Sequence, residues 1–531
     1  MAESSTTSQA VGADSRTSSM LARWLMPSIA DVIFVALLSV LVFTQLSVRL
    51  LGDAGIGWHV RTGELILQTH AIPRVDPFSS TMAGKPWFAW EWLYDVKVAW
   101  LHSHAGWNGV VWFTAVIIAS VFAGMFRGLV LRKTNLFFAI LLFLLAACAS
   151  TIHFLARPHV LSWLFTLIFF WILDSAERDC FGARPKFTSP QVMALPILML
   201  FWANLHGGFL LGFVLIGIFW FSALWTWLTT RPDRIEESLR KIAAGKRCLS
   251  LTWIALLSAL ASLINPYGWK LDGHIASYLS NGFLMDHIDE FQSPNFHGIA
   301  QKFFLILLLV SAAVLIARGR QLRPSGILVV LFSIYAGLYA SRNIPTSSIL
   351  LGMVVGPLLP ATGVGDEFSQ RMSQVESSLR GHLWPILAVL LTFLIALNGG
   401  RIGQAQLMNA HFSPQRMPVQ AVDFLEQNHL HGPILSPDYW GGYLIYRLYP
   451  KTQVVLDDRH DLYGSSFLAS YLELLHVEHG GSEFLREHQP EVILWPQDSA
   501  LANTLARGKG AWKVLYRDQL SIVLVHDTEN P

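Results

Sequence analysis

Long apolar stretches separated by short polar ones dominate residues 1–400 of the chain. A stretch of about 20 apolar residues is long enough to cross the hydrocarbon core of a bilayer as an α-helix. The pattern therefore predicts about eleven membrane-spanning helices, several of them short. Their expected positions are 29–48, 108–128, 135–153, 159–174, 191–205, 209–228, 249–264, 302–317, 325–340, 346–362 and 383–399.

After about residue 400 the pattern changes to short apolar segments that alternate with amphipathic ones. Strand-like segments interleaved with helix-like ones predict a small C-terminal α/β domain. We expect its helices near 418–429, 465–477 and 481–488. We expect its strands near 433–436, 443–447, 453–457, 491–495, 512–516 and 520–525.

Composition narrows the class of protein. Of the 531 residues, 53% are hydrophobic and only 14% are charged. A soluble domain cannot bury that much apolar surface, so we predict a polytopic α-helical membrane protein. The formal net charge of +2 and the lack of a basic tract argue against nucleic acid as a partner. The three cysteines, Cys148, Cys180 and Cys248, lack the paired spacing of a zinc site or a disulfide framework.

The distribution of Lys and Arg predicts how the chain is oriented in the membrane. Basic residues cluster in the connections at 127–133, 178–186, 231–247 and 318–323. All of these fall on the same side as the N-terminus, which the positive-inside rule makes cytoplasmic. An odd number of spans then puts the C-terminal domain on the other side. The expected domains are a disordered cytoplasmic tail over 1–28, a transmembrane domain over 29–399 and an extracytoplasmic α/β domain over 400–531.

Connections on the predicted outer face carry most of the polar residues, whereas the span centres are nearly free of charge. The first of these connections, 51–106, is far too long for a simple turn. Tryptophans there are also typical of an aromatic belt, and arginines at helix ends also contact lipid headgroups. Neither interpretation explains why the polar groups gather on one face, so we favour a functional site. Its candidate residues are Asp53, Trp58, His59, Glu64, Glu91, Arg157, His159, His206 and Arg342.

The order of these features resembles the GT-C superfamily of membrane glycosyltransferases, which includes protein mannosyltransferases, aminoarabinose transferases and oligosaccharyltransferases. More closely, the sequence resembles a bacterial family of polytopic GT-C-like proteins with largely unassigned substrates. The motifs that carry this resemblance are Asp53…Trp58-His59…Gly63-Glu64, Asp76-Pro-Phe-Ser79, Glu91-Trp-Leu93, Arg157-Pro-His159, Asn204-Leu-His-Gly-Gly208, Asn265-Pro-Tyr-Gly268, Arg342-Asn-Ile-Pro345, Trp440-Gly-Gly-Tyr443 and Asp457-Asp-Arg-His-Asp-Leu-Tyr463.

The resemblance implies transfer of a sugar from a polyprenyl phosphate. That reaction needs a base for the acceptor hydroxyl and positive charge for the departing phosphate. Asp53 is the implied general base, with Glu64 and Glu91 as alternatives. Arg157 and Arg342 are the implied ligands of the donor phosphate. The other implied substrate-binding residues are Trp58, His59, His159 and His206.

The sequence also departs from the expected pattern. Gly55 stands where a second Asp is common in such loops, and Trp90 stands where a His often precedes Glu-Trp-Leu. The missing acid argues against a two-carboxylate metal site, and no metal ligands are assigned. The segment 286–290, with Asp286, Asp289 and Glu290, still leaves room for a divalent cation as a cofactor. The segment 457–461 is interpreted either as a salt-bridged turn or as a sugar or metal site.

The predicted function is thus a bacterial inner-membrane glycosyltransferase that acts at the outer face of the cytoplasmic membrane. Its expected partners are a polyprenyl-phosphate-linked sugar, membrane lipid and an unidentified acceptor. Two alternatives stay open. A transporter is expected to carry charged residues at mid-membrane, in repeat-related broken helices. A non-catalytic protein of envelope assembly explains an exported domain, but it has no need for acids and arginines at one membrane surface.

Overall fold

The computed structural model describes residues 23–178, 190–359, 366–379, 381–507 and 512–526. Cys180, residues 1–22 of the predicted tail and most of the basic connection at 178–186 lie outside the described residues.

Apolar helices make up the first part of the chain. Within the described residues, seven helices are long and apolar enough to cross a membrane. An eighth span results if the bent pair Glu367–Ser378 and Leu383–Leu397 is one crossing, and shorter apolar helices lie at Gln191–Leu205 and Pro324–Tyr339. The prediction of a multi-pass helical membrane protein is therefore confirmed. The count of eleven spans and the orientation stay predictions.

The helices of this part are, in chain order, α1 Ile29–Phe43, α2 Leu46–Leu50, α3 Gly55–Thr69, α4 Trp92–Leu131, α5 Leu136–Ser150, α6 His159–Arg178, α7 Pro190–Met193, α8 Leu195–Leu205, α9 Leu210–Thr229, α10 Ile235–Ser262, α11 Trp269–Leu279, α12 Gly282–His287, α13 Ile299–Arg318, α14 Pro324–Tyr339, α15 Ile344–Val355, α16 Asp366–Ser378 and α17 Leu383–Leu397.

The start of α1 shows how polar side chains terminate these apolar helices. Ser28 and Asp31 form a capping box, in which each side chain accepts a backbone N–H of the other residue. Glu376 of α16 accepts the next free donors, the N–H groups of Ile29 and Ala30, at 2.6 and 3.2 Å. These contacts satisfy backbone donors that a helix terminus leaves unpaired.

The segment predicted as a long external loop, 51–106, contains regular structure. Helix α3 occupies its first part, an irregular stretch follows, and α4 begins at Trp92. Helix α4 is interrupted at Gly106, whose φ of 57° and ψ of −154° are not helical. Only glycine adopts that conformation without strain, so the helix changes direction there. The site described below lies at the start of α3 and at the start of α4.

The C-terminal part folds as the predicted small α/β domain. A four-stranded sheet has the order β3-β4-β6-β5, in which β3 and β4 are parallel and the other pairs are antiparallel. A short antiparallel pair, β1 and β2, precedes it. The elements are β1 Arg401–Ile402, β2 Ala405–Gln406, α18 Val419–Gln427, β3 Ile434–Leu435, α19 Asp438–Leu448, α20 His460–Leu475, α21 His479–His488, β4 Val492–Pro496, α22 Ala500–Arg507, β5 Trp512–Arg517 and β6 Ser521–His526.

The strand expected near 443–447 is wrong, because these residues belong to helix α19. The apolar run at 443–447 is mostly buried, so it lacks the exposed polar face by which a surface helix is recognised in a sequence. Residues 453–457 form isolated bridges instead of a strand, since Val454 pairs with both Ile434 and Ser79. Ser79 belongs to the stretch between α3 and α4, so the backbone of that stretch joins the C-terminal domain.

Candidate active site

A cavity of about 1250 Å³ lies where the starts of α3, α4 and α6 meet the C-terminal domain. Its wall combines acids, imidazoles and arginines from segments far apart in the chain. All but one of the predicted site residues line it: Asp53, Trp58, His59, Glu91, Arg157, His159, His206 and Arg342.

Glu64 is the predicted residue that the fold does not bring to this cavity. It lies on α3 and forms an ion pair with Arg61 at 2.6 Å, and it lies 3.9 Å from His102. Arg61 in turn donates to the backbone carbonyl of Tyr446 in α19. Glu64 therefore helps to hold α3 against the C-terminal domain.

Asp53 and Arg157 lie side by side at the wall. The Nη1 atom of Arg157 is 3.5 Å from Asp53 Oδ1 and donates a hydrogen bond of 2.9 Å to Asp458 Oδ2. Asp53 Oδ1 also accepts the backbone N–H of Gly55 at 2.7 Å, which fixes this carboxylate at the start of α3. One guanidinium thus contacts two acids, one from the segment 51–106 and one from the C-terminal domain.

Glycines allow the close approach that this arrangement needs. A Cβ atom on Gly55 would lie 1.6 Å from Arg157 Nη1 and 2.5 Å from Asp458 Oδ2. A Cβ atom on Gly57 would lie 2.2 Å from the backbone oxygen of Gly442 in α19. Helices α3 and α19 therefore pack backbone to backbone, and the C-terminal domain forms one wall of the cavity. This explains the Gly at position 55, where an Asp was expected.

The segment 457–461 forms the salt-bridged turn of the first interpretation, and it also reaches the cavity. Arg459 donates to Asp457 at 2.6 and 2.8 Å and to Asp76 at 2.7 Å, and all three side chains are buried. That part is a salt-bridged turn, and it ties the domain to the stretch before α4. Asp458 points to the cavity, where Trp58 Nε1 donates to its Oδ1 at 2.9 Å. Burial raises the pKa of Asp458 to about 6, although Arg157 opposes the shift.

Glu91 lies between two histidines. Its carboxylate oxygens are 3.8 Å from His59 Nε2 and 3.6 Å from His206 Nε2. Burial raises the pKa of Glu91 to about 8, with Arg157 opposing the shift. Burial also lowers the pKa of both histidines well below their ordinary value. At neutral pH this part of the wall is therefore uncharged, with Glu91 protonated.

The Asn-Leu-His-Gly-Gly motif positions His206. Helix α8 ends at Leu205, and the ring Nδ1 of His206 accepts the backbone N–H of Gly208 at 3.0 Å and contacts Ser162 Oγ at 2.7 Å. Because Nδ1 accepts a hydrogen bond from a backbone N–H, the neutral ring carries its own proton on Nε2, which faces Glu91. His206 therefore satisfies a backbone N–H group, and it also faces the cavity.

Arg342 contributes a second positive charge to the wall. Its guanidinium stacks over the ring of Phe291 with the carbon 4.6 Å from the ring centroid. Among the described residues Arg342 has no acid within ion-pair distance, so its donors stay available to a ligand. Neighbouring Glu290 is ionised: burial opposes this, but Arg342 and His153 outweigh burial and hold its pKa at about 2.

Several groups at the wall are absent from the candidates that the sequence predicts, among them Asp95, Asp458 and Arg416, and Asp95 lies 2.6 Å from His59 Nδ1. Asp458 lay in a recognised motif, but nothing in the sequence pairs it with Arg157. Arg416 lines the cavity, and its Nη1 would lie 2.7 Å from a Cβ on Gly52. The Gly at position 52 was the only signal of that approach.

The arrangement of acids does not fit a divalent cation. Among the described residues, no group of three or more His, Cys, Asp or Glu side chains is close enough to hold a metal ion. Asp53 and Asp458 are near each other, but the Arg157 guanidinium lies between them. Asp289 and Glu290 line the cavity, whereas Asp286 does not. We therefore derive no step through a metal.

Comparison with solved structures identifies similar folds. The oligosaccharyltransferase of Archaeoglobus fulgidus in its apo form is 12% identical over 94% of this chain and 74% of that one, with a TM-score of 0.52. Its complex with Zn and sulfate is 12% identical over 94% and 73% of the two chains, with a TM-score of 0.50. ArnT from Cupriavidus metallidurans bound to undecaprenyl phosphate is 14% identical over 94% and 98%, with a TM-score of 0.46.

No family model and no curated protein matches the sequence. The structural similarity to the oligosaccharyltransferase extends over nearly the whole chain, and it shows that the two proteins share a fold. The chain is thus a multi-pass membrane protein that shares its fold with this oligosaccharyltransferase and has a small C-terminal α/β domain.

Proposed function

We propose that this protein is a membrane glycosyltransferase that transfers a sugar from a polyprenyl phosphate to an unidentified acceptor. We place the reaction at the outer face of the bacterial cytoplasmic membrane. The observation that carries the proposal is the pairing of Asp53 with Arg157 in a cavity that also holds Arg342. A carboxylate beside cations is what glycosyl transfer from a phosphate requires.

The arginines supply the charge that the leaving group needs. As the bond from the sugar to the phosphate breaks, negative charge accumulates on the phosphate oxygens. Arginine stays charged and matches phosphate with two parallel donors. Arg342 forms no ion pair within the described part of the chain, and only Nη1 of Arg157 is engaged with acids there. Both guanidinium groups therefore have donors left for a phosphate.

Asp53 is the best placed general base of the three predicted acids. Glu64 lies outside the cavity and pairs with Arg61. Glu91 lines the cavity, but burial keeps it protonated at neutral pH, so it cannot accept a proton there. In the proposed step Asp53 takes the proton of the acceptor hydroxyl, and the acceptor oxygen bonds to the anomeric carbon of the sugar. The bond from that carbon to the phosphate oxygen breaks, and the polyprenyl phosphate leaves with the electron pair.

The cavity also has an apolar side that suits a lipid chain. Its wall includes Val214 of α9 and Tyr335 and Tyr339 of α14. These side chains are 38%, 66% and 52% exposed, so the wall continues onto the outer surface of the helices. A polyprenyl chain would lie on that surface in the bilayer, with its phosphate inside the cavity. Partly dehydrated surroundings make the pairing of arginine with phosphate stronger than it is in water.

The first experiment tests the donor. We expect the purified protein in lipid nanodiscs to bind undecaprenyl-phosphate sugars, and we expect Arg157→Gln or Arg342→Gln to weaken binding by about 10- to 100-fold. Titration calorimetry or native mass spectrometry measures the affinity. Arg447→Gln is the control, because Arg447 lies in the C-terminal domain away from the cavity lining. Sugar transfer from a soluble nucleotide sugar with no lipid carrier would refute the proposal.

The second experiment tests the topology. We expect residues 400–531 to lie outside the cytoplasmic membrane, because the basic connections fall on the opposite side. Fusions of alkaline phosphatase and of a fluorescent protein to the C-terminus report the side directly. An active phosphatase fusion with a dark fluorescent fusion is expected. The reverse pattern would put the domain in the cytoplasm, and the outer-face assignment would then be wrong.

Two alternatives predict different results in these experiments. An envelope-assembly protein would tolerate Asp53→Asn and either arginine substitution without loss of its role. A transporter would move a lipid or a sugar across the bilayer without forming a glycosidic bond, so a product assay separates it from a transferase. The ion pairs within the long apolar helices, such as Arg132–Asp174 and Arg247–Glu177, lie near predicted cytoplasmic ends and not at mid-membrane.

A further inference from the structure

The contact between Arg157 and the C-terminal domain has a consequence for the reaction, and this consequence rests on the proposed function. Arg157 is the only described side chain that contacts both Asp53 and Asp458 as an ion pair. Its Nη1 donates a hydrogen bond to Asp458 at 2.9 Å, whereas its distance of 3.5 Å to Asp53 is longer. The guanidinium is thus hydrogen-bonded to the acid of the C-terminal domain, and it forms a longer ion pair with the predicted base.

Asp458 is held firmly enough to keep the guanidinium in that place. Trp58 donates to its second oxygen at 2.9 Å. The residues on either side of it in the chain, Asp457 and Arg459, belong to the buried salt-bridged turn. The turn is anchored further by Tyr463, whose hydroxyl donates to Asp457 Oδ2 at 2.9 Å. Asp458 therefore projects from a rigid part of the domain.

We infer that Asp458 is a positioning residue: it keeps the Arg157 guanidinium at the longer distance from Asp53 until the donor phosphate takes the place of Asp458. Without Asp458, Asp53 would be the nearest anion, and its long ion pair with Arg157 would close to a direct hydrogen bond. A carboxylate paired with arginine is a weaker base, because the pairing favours its ionised form. With Asp458 present, the phosphate and Asp458 compete for Arg157, and Asp53 keeps its lone pairs for the acceptor.

The inference predicts opposite effects on binding and on turnover. Asp458→Asn removes the competing anion, so we expect undecaprenyl phosphate to bind about 3- to 10-fold more tightly than to the wild type. It also lets Arg157 pair with Asp53, so we expect turnover to fall about 10-fold. Asp458→Glu keeps the charge and is expected to restore the wild-type affinity. A purely structural role for Asp458 predicts lost folding with neither of the other two changes.

The test measures undecaprenyl phosphate affinity and kcat for the full-length protein in nanodiscs. Variants are Asp458→Asn, Asp458→Glu, Arg157→Gln and the control Asp423→Asn, which removes an acid from another ion pair of the same domain. Tighter binding with slower turnover in Asp458→Asn alone supports the inference. Unchanged or weaker binding in Asp458→Asn, while Arg157→Gln weakens it, overturns the inference and leaves the proposed function standing. If the wild type neither binds the lipid nor transfers sugar, both fail.

Gly55→Ala tests the same contact without changing any charge. The added methyl group would lie 1.6 Å from Arg157 Nη1 and 2.5 Å from Asp458 Oδ2, so it must separate them. The ends of two side chains, Arg157 and Asp458, have to move but no backbone does, so the fold is expected to survive. We expect turnover to fall about 10-fold, as in Asp458→Asn. Wild-type turnover in a folded Gly55→Ala protein would overturn the inference, even if Asp458→Asn does not fold.

Discussion

Asp53→Asn is expected to lower the rate of sugar transfer by about 10²- to 10⁴-fold, the usual contribution of a general base. Asparagine keeps the size of the side chain and can still accept the N–H of Gly55, which Asp53 accepts at 2.7 Å. It cannot accept the acceptor proton, and it leaves Arg157 paired with Asp458. The variant should therefore insert and fold normally. Turnover with an undecaprenyl-phosphate sugar, at saturating donor, measures the effect.

Two further acids show whether the assignment of the base is correct. Glu64→Gln should act through the packing of α3 and leave turnover within a few-fold of the wild type, because Glu64 does not line the cavity. Glu91→Gln replaces a protonated acid by a neutral amide of the same shape, so a small effect is expected there too. If either variant loses turnover while Asp53→Asn keeps it, the base is that residue. If all three variants are fully active, the first external segment has no catalytic role.

The sequence predicts the apolar membrane helices and most of the residues that line the cavity. It predicts the local structure around the cavity less well. Apolar length alone identifies helices such as His159–Arg178 and Ile299–Arg318, because the hydrocarbon core imposes a minimum length. The one-sided distribution of acids, histidines and arginines identified residues that the fold does bring to one cavity. The prediction succeeds because polar side chains at helix ends on the same side of the helices lie at one common surface, where a single cavity can collect them.

What the sequence did not predict depends on contacts between distant segments. Asp458 is about 400 residues from Gly55 in the chain, and no periodicity connects the two. Likewise, the sequence predicts a strand near 443–447, within helix α19. A short apolar run looks the same whether it forms a buried helix or a strand, so its pattern does not separate the two. Of its two glycines, Gly442 packs against the start of α3, where it meets Gly57, and Gly441 packs against the backbone of Leu456 and Asp457. The sequence departs from the expected family pattern at Gly55, and the reason is the Arg157 guanidinium, which lies too close to leave room for a side chain.

The largest expected effect on stability is that of Arg459→Met. Arg459 binds Asp457 and Asp76, and all three side chains are at most 2% exposed. Removing the cation leaves two buried carboxylates without their partner, which is expected to cost about 3–5 kcal/mol. Because Asp76 lies in the stretch between α3 and α4, the domain should also detach from that stretch. Denaturant unfolding of the full-length protein in detergent, followed by tryptophan fluorescence, measures the loss.

Arg447→Met is the matched control for this prediction. Arg447 is also a C-terminal-domain arginine between two acids, Asp423 at 2.8 Å and Glu426 at 2.5 Å, but those acids are 46% and 43% exposed. Exposed ion pairs contribute about 0–1 kcal/mol, since water solvates the partner left behind. Equal, small losses in the two variants would mean that water reaches Asp76 and Asp457. In that case the salt-bridged turn would not be what holds Asp458 in place, and the rigidity on which its positioning role depends would have to come from Trp58.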